Sequence, residues 1–294
     1  MISAGGAAAR SFDDRFFTVT DGVKLHFRDY PGSAERPPLL CLPALTRNAR
    51  DFAAFAARHS PRFRVIVLNN RGRGESDYDP LPERYSPPTY AGDVLQLLDH
   101  LAIDRAIFVG TSLGGLVTMI VAALMPQRIA AAILNDVGPE LEEAGLARIR
   151  TYVGKDRRFG AWDEAARALA AIAAGLPRHY SHADWVRTAQ NRAREQDGEI
   201  RFDYDMAIGR PFEAAGPTGQ VDLWPAFRVL AERPLLIIRG GESDLVSATG
   251  AARMRETAPD ARFVEVAGVG HAPDLEEPES IAAVEAFLDS LDRH

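Results

Sequence analysis

Short apolar runs alternate with segments of helical spacing along most of the chain. Runs rich in Val, Ile, Leu and Phe predict strands at 15–20, 23–28, 39–42, 63–68, 106–109, 129–134, 234–238 and 262–266. Apolar residues at helical spacing predict helices at 48–58, 89–102, 247–257 and 278–291, and one that begins at Leu113. This alternation is typical of an α/β fold, in which helices cover a mostly parallel sheet. Asp21-Gly22 separates the first two runs and predicts a hairpin with a type I′ turn.

The alternation breaks between residues 138 and 231. That segment is helical in its apolar spacing, poor in strand-like runs and rich in charged and aromatic residues. We interpret 138–231 as a helical cap inserted into one α/β core domain, which residues 12–137 and 232–294 form. Residues 1–11 have no sustained apolar run and predict a flexible N-terminal arm rather than a signal peptide.

A sharp turn is predicted between the fifth strand and the helix that follows it. It reads Gly110-Thr111-Ser112-Leu113-Gly114, a G-x-S-x-G sequence with an apolar strand before it and a helix after it. Such a turn crowds the positions two before and two after the serine, and glycine relieves the crowding. Ser112 is therefore the candidate nucleophile. The Leu113 backbone N–H, at a helix N-terminus, is a candidate donor to an oxyanion.

A serine hydroxyl needs a base to act as a nucleophile. His271 follows the last predicted strand in a glycine-rich loop, which places it near Ser112 at the carboxyl edge of the sheet. The base in turn needs an acid, and Asp244 and Asp136 both fit, because each follows a predicted strand. Both also lie between the serine and the histidine in chain order. We favour Asp244 and keep Asp136 as the alternative.

Together these residues resemble the α/β-hydrolase superfamily, in particular its serine esterase-like branch with a helical cap. The likeness begins near residue 12 and includes 70–77, Asn-Arg-Gly-Arg-Gly-Glu-Ser-Asp, which is similar to an Arg-Gly-x-Gly-x-Ser segment of the superfamily. The resemblance implies an eight-stranded, mostly parallel sheet with helices on both faces, and catalysis without a cofactor. It also implies a second oxyanion donor in the loop after the third strand, where the Leu45 N–H is the candidate by position.

The chain departs from common patterns of the superfamily at two points. Pro43-Ala44 stands where many members have His-Gly, and Thr111 stands where His is frequent. Ser112 argues against the dehalogenases and epoxide hydrolases of this fold, which use an aspartate nucleophile. Some relatives, among them hydrolases of an acetamidomethylene-succinate, take the acid from the strand matching 129–134, which is why Asp136 is kept.

Composition narrows the classes of partner. The 294 residues are 46% hydrophobic, enough for a large core, and the net charge of −7 gives no attraction to nucleic acid or an anionic membrane. Cys41, the only cysteine, lies among leucines, cannot form an internal disulfide and is interpreted as a buried thiol. No run approaches a membrane span, so a cytoplasmic location is expected. Asp203 and Asp205 are interpreted as surface charges, and no metal site is predicted.

The resemblance implies a serine hydrolase that cleaves a small or medium carboxylic ester, lactone or thioester through an acyl-enzyme. One alternative is hydrolysis of an amide or a C–C bond in a small carboxylated ring-fission product, for which Arg178, Arg187 and Arg192 offer cations. Another is a non-catalytic ligand-binding receptor on the same fold. Candidates for contact with the small-molecule substrate are Arg47, Trp162, His179, Tyr180 and Trp185.

Overall fold

The computed structural model describes residues 12–173, 180–214 and 221–292. The predicted N-terminal arm, 1–11, lies outside the described residues. The described residues contain eleven strands: β1 (Asp13–Thr18), β2 (Lys24–Tyr30), β3 (Leu39–Leu42), β4 (Val65–Leu68), β5 (Ala106–Thr111), β6 (Ile129–Asn135), β7 (Arg158–Phe159), β8 (Ala193–Gln196), β9 (Glu199–Phe202), β10 (Leu235–Gly240) and β11 (Arg262–Val266).

Ten α-helices are also present in the described residues. They are α1 (Ala53–His59), α2 (Pro87–His100), α3 (Leu113–Leu124), α4 (Glu143–Arg150), α5 (Trp162–Ile172), α6 (His182–Arg192), α7 (Gly209–Ala214), α8 (Trp224–Leu230), α9 (Ala248–Thr257) and α10 (Pro278–Leu291). A 3₁₀ turn, Ala49–Phe52, precedes α1. No helix in the described ranges is long and apolar enough to cross a membrane.

Eight strands form the central sheet in the order β1-β2-β4-β3-β5-β6-β10-β11. β2 pairs antiparallel with β1 and β4, and every other neighbouring pair is parallel. The predicted eight-stranded, mostly parallel sheet is confirmed. Each of its strands overlaps one of the eight predicted runs.

The sheet separates two apolar layers, as expected for helices on both faces. Alternate residues of the buried β3 enter different layers: Leu40 and Leu42 join α2, α3 and α8, whereas Leu39 and Cys41 join α1 and α10. Side chains alternate between the two faces of a strand, and both faces of β3 are buried. Each position of β3 therefore needs an apolar residue, which explains the continuous Leu-Leu-Cys-Leu run. Cys41 is fully buried, and burial raises the pKa of its thiol well above the usual value.

The hairpin between β1 and β2 forms, but its turn is not the predicted one. A type I′ turn needs positive φ at both central residues, and only Gly22 has it, with φ of 91°. The Asp-Gly dipeptide that takes positive φ at both residues is Asp197-Gly198, with φ of 54° and 78°. It joins β8 to β9, a hairpin that we did not predict.

The segment predicted as a helical cap contains α4 to α7 and also a three-stranded antiparallel sheet in the order β7-β9-β8. These strands are short and strongly charged, so they lack the apolar runs that mark the central strands. α8 lies at the end of the predicted insertion and packs on α3 of the core.

Asp203 ties this segment to the core, and the prediction of a surface charge is wrong. Its side chain is 1% exposed, because the loop after β9 lies over the loop after β3. Asp203 Oδ2 accepts hydrogen bonds from Arg50 Nη2 at 2.6 Å and from Asn48 Nδ2 at 3.2 Å. A buried carboxylate is stable in such a position only when charged or polar donors surround it.

Candidate active site

Ser112 lies in the turn between β5 and α3 with φ of 51° and ψ of −113°. This is a strained conformation for a residue other than glycine, and it is the conformation of a nucleophile on a strand-to-helix turn. The flanking glycines are required by close packing. A Cβ on Gly114 would lie 2.0 Å from the Leu42 carbonyl oxygen, and one on Gly110 would lie 2.5 Å from the Gly114 backbone.

His271 joins Ser112 to a buried carboxylate. Its Nε2 lies 2.9 Å from Ser112 Oγ, and its Nδ1 lies 2.7 Å from Asp136 Oδ2. Ser112 is 8% exposed, the His271 side chain is 8% exposed, and the Asp136 side chain is fully buried. A hydroxyl, an imidazole and a carboxylate thus form one continuous hydrogen-bonded chain, in the order that a candidate nucleophile, base and acid require.

Asp136 is the first residue after β6 and has a positive φ of 53°. Its Oδ1 accepts a hydrogen bond from the Gly240 N–H at 2.9 Å, and its Oδ2 accepts one from Ser243 Oγ at 2.8 Å. The end of β10 and the loop after it therefore supply hydrogen-bond donors to Asp136, and not the carboxylate that contacts His271. These hydrogen bonds supply both oxygens of a fully buried carboxylate with polar partners.

The preference for Asp244 as the partner of His271 is corrected by this geometry. Asp244 lies four residues beyond the end of β10, and the turn carries its side chain to α4. There its Oδ2 and Oδ1 accept hydrogen bonds from Arg148 Nε at 2.6 Å and Nη2 at 2.9 Å. Burial opposes ionisation of Asp244, but the hydrogen bonds and charge of Arg148 outweigh it, and the pKa of Asp244 is lowered.

Both candidate oxyanion donors are close to Ser112. Leu113 is the first residue of α3, where backbone N–H groups have no intrahelical acceptor. Leu45 lines the same cavity as Ser112. The Leu45 carbonyl accepts a hydrogen bond from Arg73 Nε at 2.9 Å, and the Arg73 side chain is itself buried. Arg73 thereby holds the loop in which the Leu45 N–H is found.

The cavity over Ser112 is lined by residues of the core loops and of the inserted segment. The described lining residues are Ala44, Leu45, Thr46, Arg47, Ser112, Arg148, Ile149, Tyr152, Leu169, Ile172, Ala173, Trp185, Arg192, Phe202, Tyr204 and His271. One part of this surface is apolar and comes mainly from α5, α6 and β9. The other part carries three arginines and two tyrosines.

The predicted substrate contacts divide into three groups. Arg47 and Trp185 line the cavity. Trp162 and Tyr180 are not among its described lining residues, and Tyr180 packs edge-on against Trp185 with 4.9 Å between ring centroids. His179 lies outside the described residues, as does Arg178.

Arg148 was not predicted as a site residue. It lies on a short charged helix, and its sequence neighbours, Arg150 and Arg157 among them, give no sign of which arginine faces the serine. Its spacing of four from Tyr152 places both on one side of the helix end, which is the signal that was present. Among the described residues, no group of three or more His, Cys, Asp or Glu side chains is arranged to hold a metal ion.

Comparison with known proteins identifies the fold family of this chain. The family model described as "alpha/beta hydrolase fold" matches residues 37–278. The chain belongs to the α/β-hydrolase fold family. A crystal structure of an α/β-hydrolase from Novosphingobium aromaticivorans is 50% identical, with a TM-score of 0.90 over 95% of this chain and 98% of that one.

Two curated relatives of this α/β-hydrolase carry names that state an activity. A 3-hydroxybutyrate-oligomer hydrolase of Cupriavidus necator is 31% identical over 90% of this chain and 92% of its own length. A 2-(acetamidomethylene)succinate hydrolase of Mesorhizobium japonicum is 30% identical over 86% of this chain and 88% of its own length. The protein is thus a hydrolase of the α/β-hydrolase family.

Proposed function

We propose that this protein is a serine hydrolase that cleaves a small or medium carboxylic ester through an acyl-enzyme. The observation that carries the proposal is the hydrogen-bonded chain from Ser112 Oγ through His271 to Asp136. Ser112 and His271 also line a cavity, so a substrate carbonyl has access to the hydroxyl. The relative named as a 3-hydroxybutyrate-oligomer hydrolase supports an ester as the substrate.

In the proposed reaction, His271 Nε2 takes the hydroxyl proton of Ser112 while Oγ attacks the ester carbonyl carbon. Asp136 accepts the Nδ1–H of His271 and stabilises the imidazolium that forms. The negative charge on the carbonyl oxygen is stabilised by the N–H groups of Leu113 and Leu45, and each such donor contributes roughly 3 kcal/mol. His271 then gives its proton to the leaving alcohol as the C–O bond breaks.

The second half of the reaction repeats these steps with water. His271 removes a proton from a water molecule, which attacks the acyl-Ser112 carbonyl carbon. Collapse of the tetrahedral intermediate breaks the bond to Ser112 Oγ and returns the proton to it. The products are one carboxylic acid and one alcohol, and the enzyme is restored.

Amide hydrolysis is a second candidate. Asp136 directly follows β6, the strand from which the hydrolases of an acetamidomethylene-succinate take their acid. The chain is also 30% identical to a relative named for hydrolysis of such a compound. The same histidine can protonate a leaving nitrogen, so the chemistry needs no further group. Comparison of matched acetate esters and acetamides distinguishes the two, since kcat/KM for the preferred class should be larger.

The test of the proposed function uses p-nitrophenyl acetate, butyrate and hexanoate with the wild type, Ser112→Ala and His271→Gln. We expect both variants to lose at least about 10³-fold in kcat. A fluorophosphonate probe should label the Ser112 peptide in the folded wild type but not in Ser112→Ala. Turnover retained by Ser112→Ala contradicts the serine mechanism. A folded wild type that neither turns over an ester nor accepts the probe favours the receptor alternative.

A further inference from the structure

Three arginines from different parts of the chain line the cavity over Ser112. Arg47 follows β3, Arg148 lies in α4 and Arg192 is the last residue of α6. We call them the arginine cluster. Their side chains are 14%, 19% and 18% exposed, so each is largely removed from bulk water.

Tyr152 lines the same cavity as the arginine cluster, and its side chain is hydrogen-bonded to Arg148. All three guanidinium groups lie close enough to Tyr152 to favour its ionised form, yet burial outweighs them and the pKa of Tyr152 is raised. The phenol therefore keeps its proton at neutral pH and can donate a hydrogen bond. An anion in this part of the cavity meets three cationic groups and a neutral hydroxyl.

Carboxylates balance the charges of these arginines, and one of them, Asp274, has its Oδ1 3.8 Å from both Arg47 Nη1 and Arg192 Nη2. Arg47 Nη1 is 3.1 Å from Asp51 Oδ2, and Arg192 Nε is 3.4 Å from Asp51 Oδ1. Asp51, Asp244 and Asp274 are not among the described residues that line the cavity. Only the arginines of these ion pairs are among the described lining residues, and the ion pairs as a whole are close to neutral.

Arg148 is the most precisely held member. Asp244 engages its Nε and Nη2, which fixes the plane of the guanidinium and leaves Nη1 without a bond to that carboxylate. A guanidinium held in this way loses little conformational entropy when it binds a second carboxylate. The cavity is also lined by apolar side chains, among them Leu169, Ile172 and Phe202.

We propose that the substrate is an anionic ester whose free carboxylate binds the arginine cluster while its ester carbonyl lies at Ser112. This inference rests on the proposed serine hydrolase activity and adds the chemical class of the substrate. An apolar chain joins the two groups and contacts the apolar wall. Asp244 is then a positioning residue, which holds Arg148 for the carboxylate.

The experiment uses two pairs of esters that differ by one carboxylate. Monoethyl adipate and ethyl hexanoate place the difference on the acyl side. 3-Acetoxybutanoate and sec-butyl acetate place it on the alcohol side. In the wild type, we expect kcat/KM for the anionic member of one pair to exceed that of its neutral partner by at least tenfold.

Arg148→Gln tests the cluster directly. A hydrogen bond to a charged group is worth about 1.5–3 kcal/mol, so kcat/KM for the preferred anionic ester should fall by about 10- to 100-fold, mainly through KM. The neutral partner should change far less, which also shows that the variant is folded. Arg148→Lys keeps the charge and should restore part of the loss. Arg187→Gln is the matched control, because Arg187 is 67% exposed on α6 and pairs with Asp184.

The outcomes separate this inference from the proposed function. Ser112-dependent hydrolysis with equal kcat/KM for the anionic and neutral members of both pairs overturns the inference alone. Equal effects of Arg148→Gln and Arg187→Gln on the anionic ester do the same. If neither pair is hydrolysed, or if Ser112→Ala hydrolyses them as the wild type does, the proposed function and the inference fall together.

Discussion

Asp244 holds Arg148 through two hydrogen bonds, of 2.6 Å from Nε and 2.9 Å from Nη2, above a cavity that also contains Ser112. Asp244, which follows the penultimate strand of the sheet, is thus hydrogen-bonded to Arg148 and not to His271. The neighbouring strand supplies the carboxylate of His271 instead, through Asp136. Two acidic residues with similar sequence settings therefore have different partners.

The first prediction separates these two acids. Asp136→Asn leaves the shape of the side chain but removes the acceptor that fixes the His271 tautomer, so kcat for p-nitrophenyl butyrate should fall by about 10³- to 10⁴-fold. Asp244→Asn should lower it by less than about tenfold, because the Asp244 carboxylate is hydrogen-bonded to Arg148 and acts on His271 only through its charge. Steady-state kinetics of the two purified variants provide the measurement. A larger loss in Asp244→Asn than in Asp136→Asn would identify Asp244 as the acid that acts on His271.

A second prediction concerns the serine turn. Gly114→Ala places a Cβ where the Leu42 carbonyl oxygen stands 2.0 Å away, so the backbone must move. We expect a loss of roughly 3 kcal/mol or more in the free energy of unfolding, measured with urea, and a loss of ester hydrolysis. Gly92→Ala is the matched control. Gly92 lies within α2 with open space at its Cβ position, and alanine there should stabilise the protein by about 1 kcal/mol. Equal stability of the two variants would contradict the packing argument.

A third prediction addresses the buried cation of the 70–77 loop. Arg71 is 1% exposed and donates to Asp93 at 2.9 and 2.5 Å and to Asp79 at 2.5 Å. Arg71→Met leaves two buried carboxylates without their cation and should cost about 3–5 kcal/mol of unfolding free energy. Arg158→Met removes an ion pair whose arginine is 51% exposed, and should cost less than about 1 kcal/mol. Urea titrations of both variants test the difference, and a small effect at Arg71 would refute it.

A fourth prediction concerns stability in acid. Burial of His59, helped by the charges of Arg58 and Arg62, lowers its pKa to about 4 from an ordinary value of 6.5. The folded state therefore favours neutral His59, and this contribution is fully present above pH 6.5 and is lost as the pH falls toward 4. Between pH 7.5 and pH 5, the free energy of unfolding should therefore fall by about 2 kcal/mol because of His59.

His59→Leu tests this linkage, because leucine cannot be protonated and can still pack on Phe55, whose ring centroid is 4.4 Å from that of His59. The variant should lose about 2 kcal/mol less than the wild type between the two pH values. His182→Gln, at a 59% exposed position, should behave as the wild type. Parallel pH dependence of the wild type and His59→Leu would rule out His59 as the source.

The sequence by itself determined the sheet and the reactive pair. Eight runs marked the eight strands of the central sheet, and the runs are apolar throughout in strands such as β3 and β4, which are buried on both faces. Ser112 was evident because only glycine fits at 110 and 114. His271 was evident because one glycine-rich loop follows the last strand. These signals are local, and local packing fixes them.

Tertiary structure decided what the local pattern left open. Asp136 and Asp244 each follow a strand, and the strands are neighbours in the sheet, so only the path of each loop determines which carboxylate reaches His271. The charged strands of the inserted segment become strands by pairing with one another, which no apolar run announces. The arginine cluster unites residues 47, 148 and 192, and only the fold brings such distant charges together around one cavity.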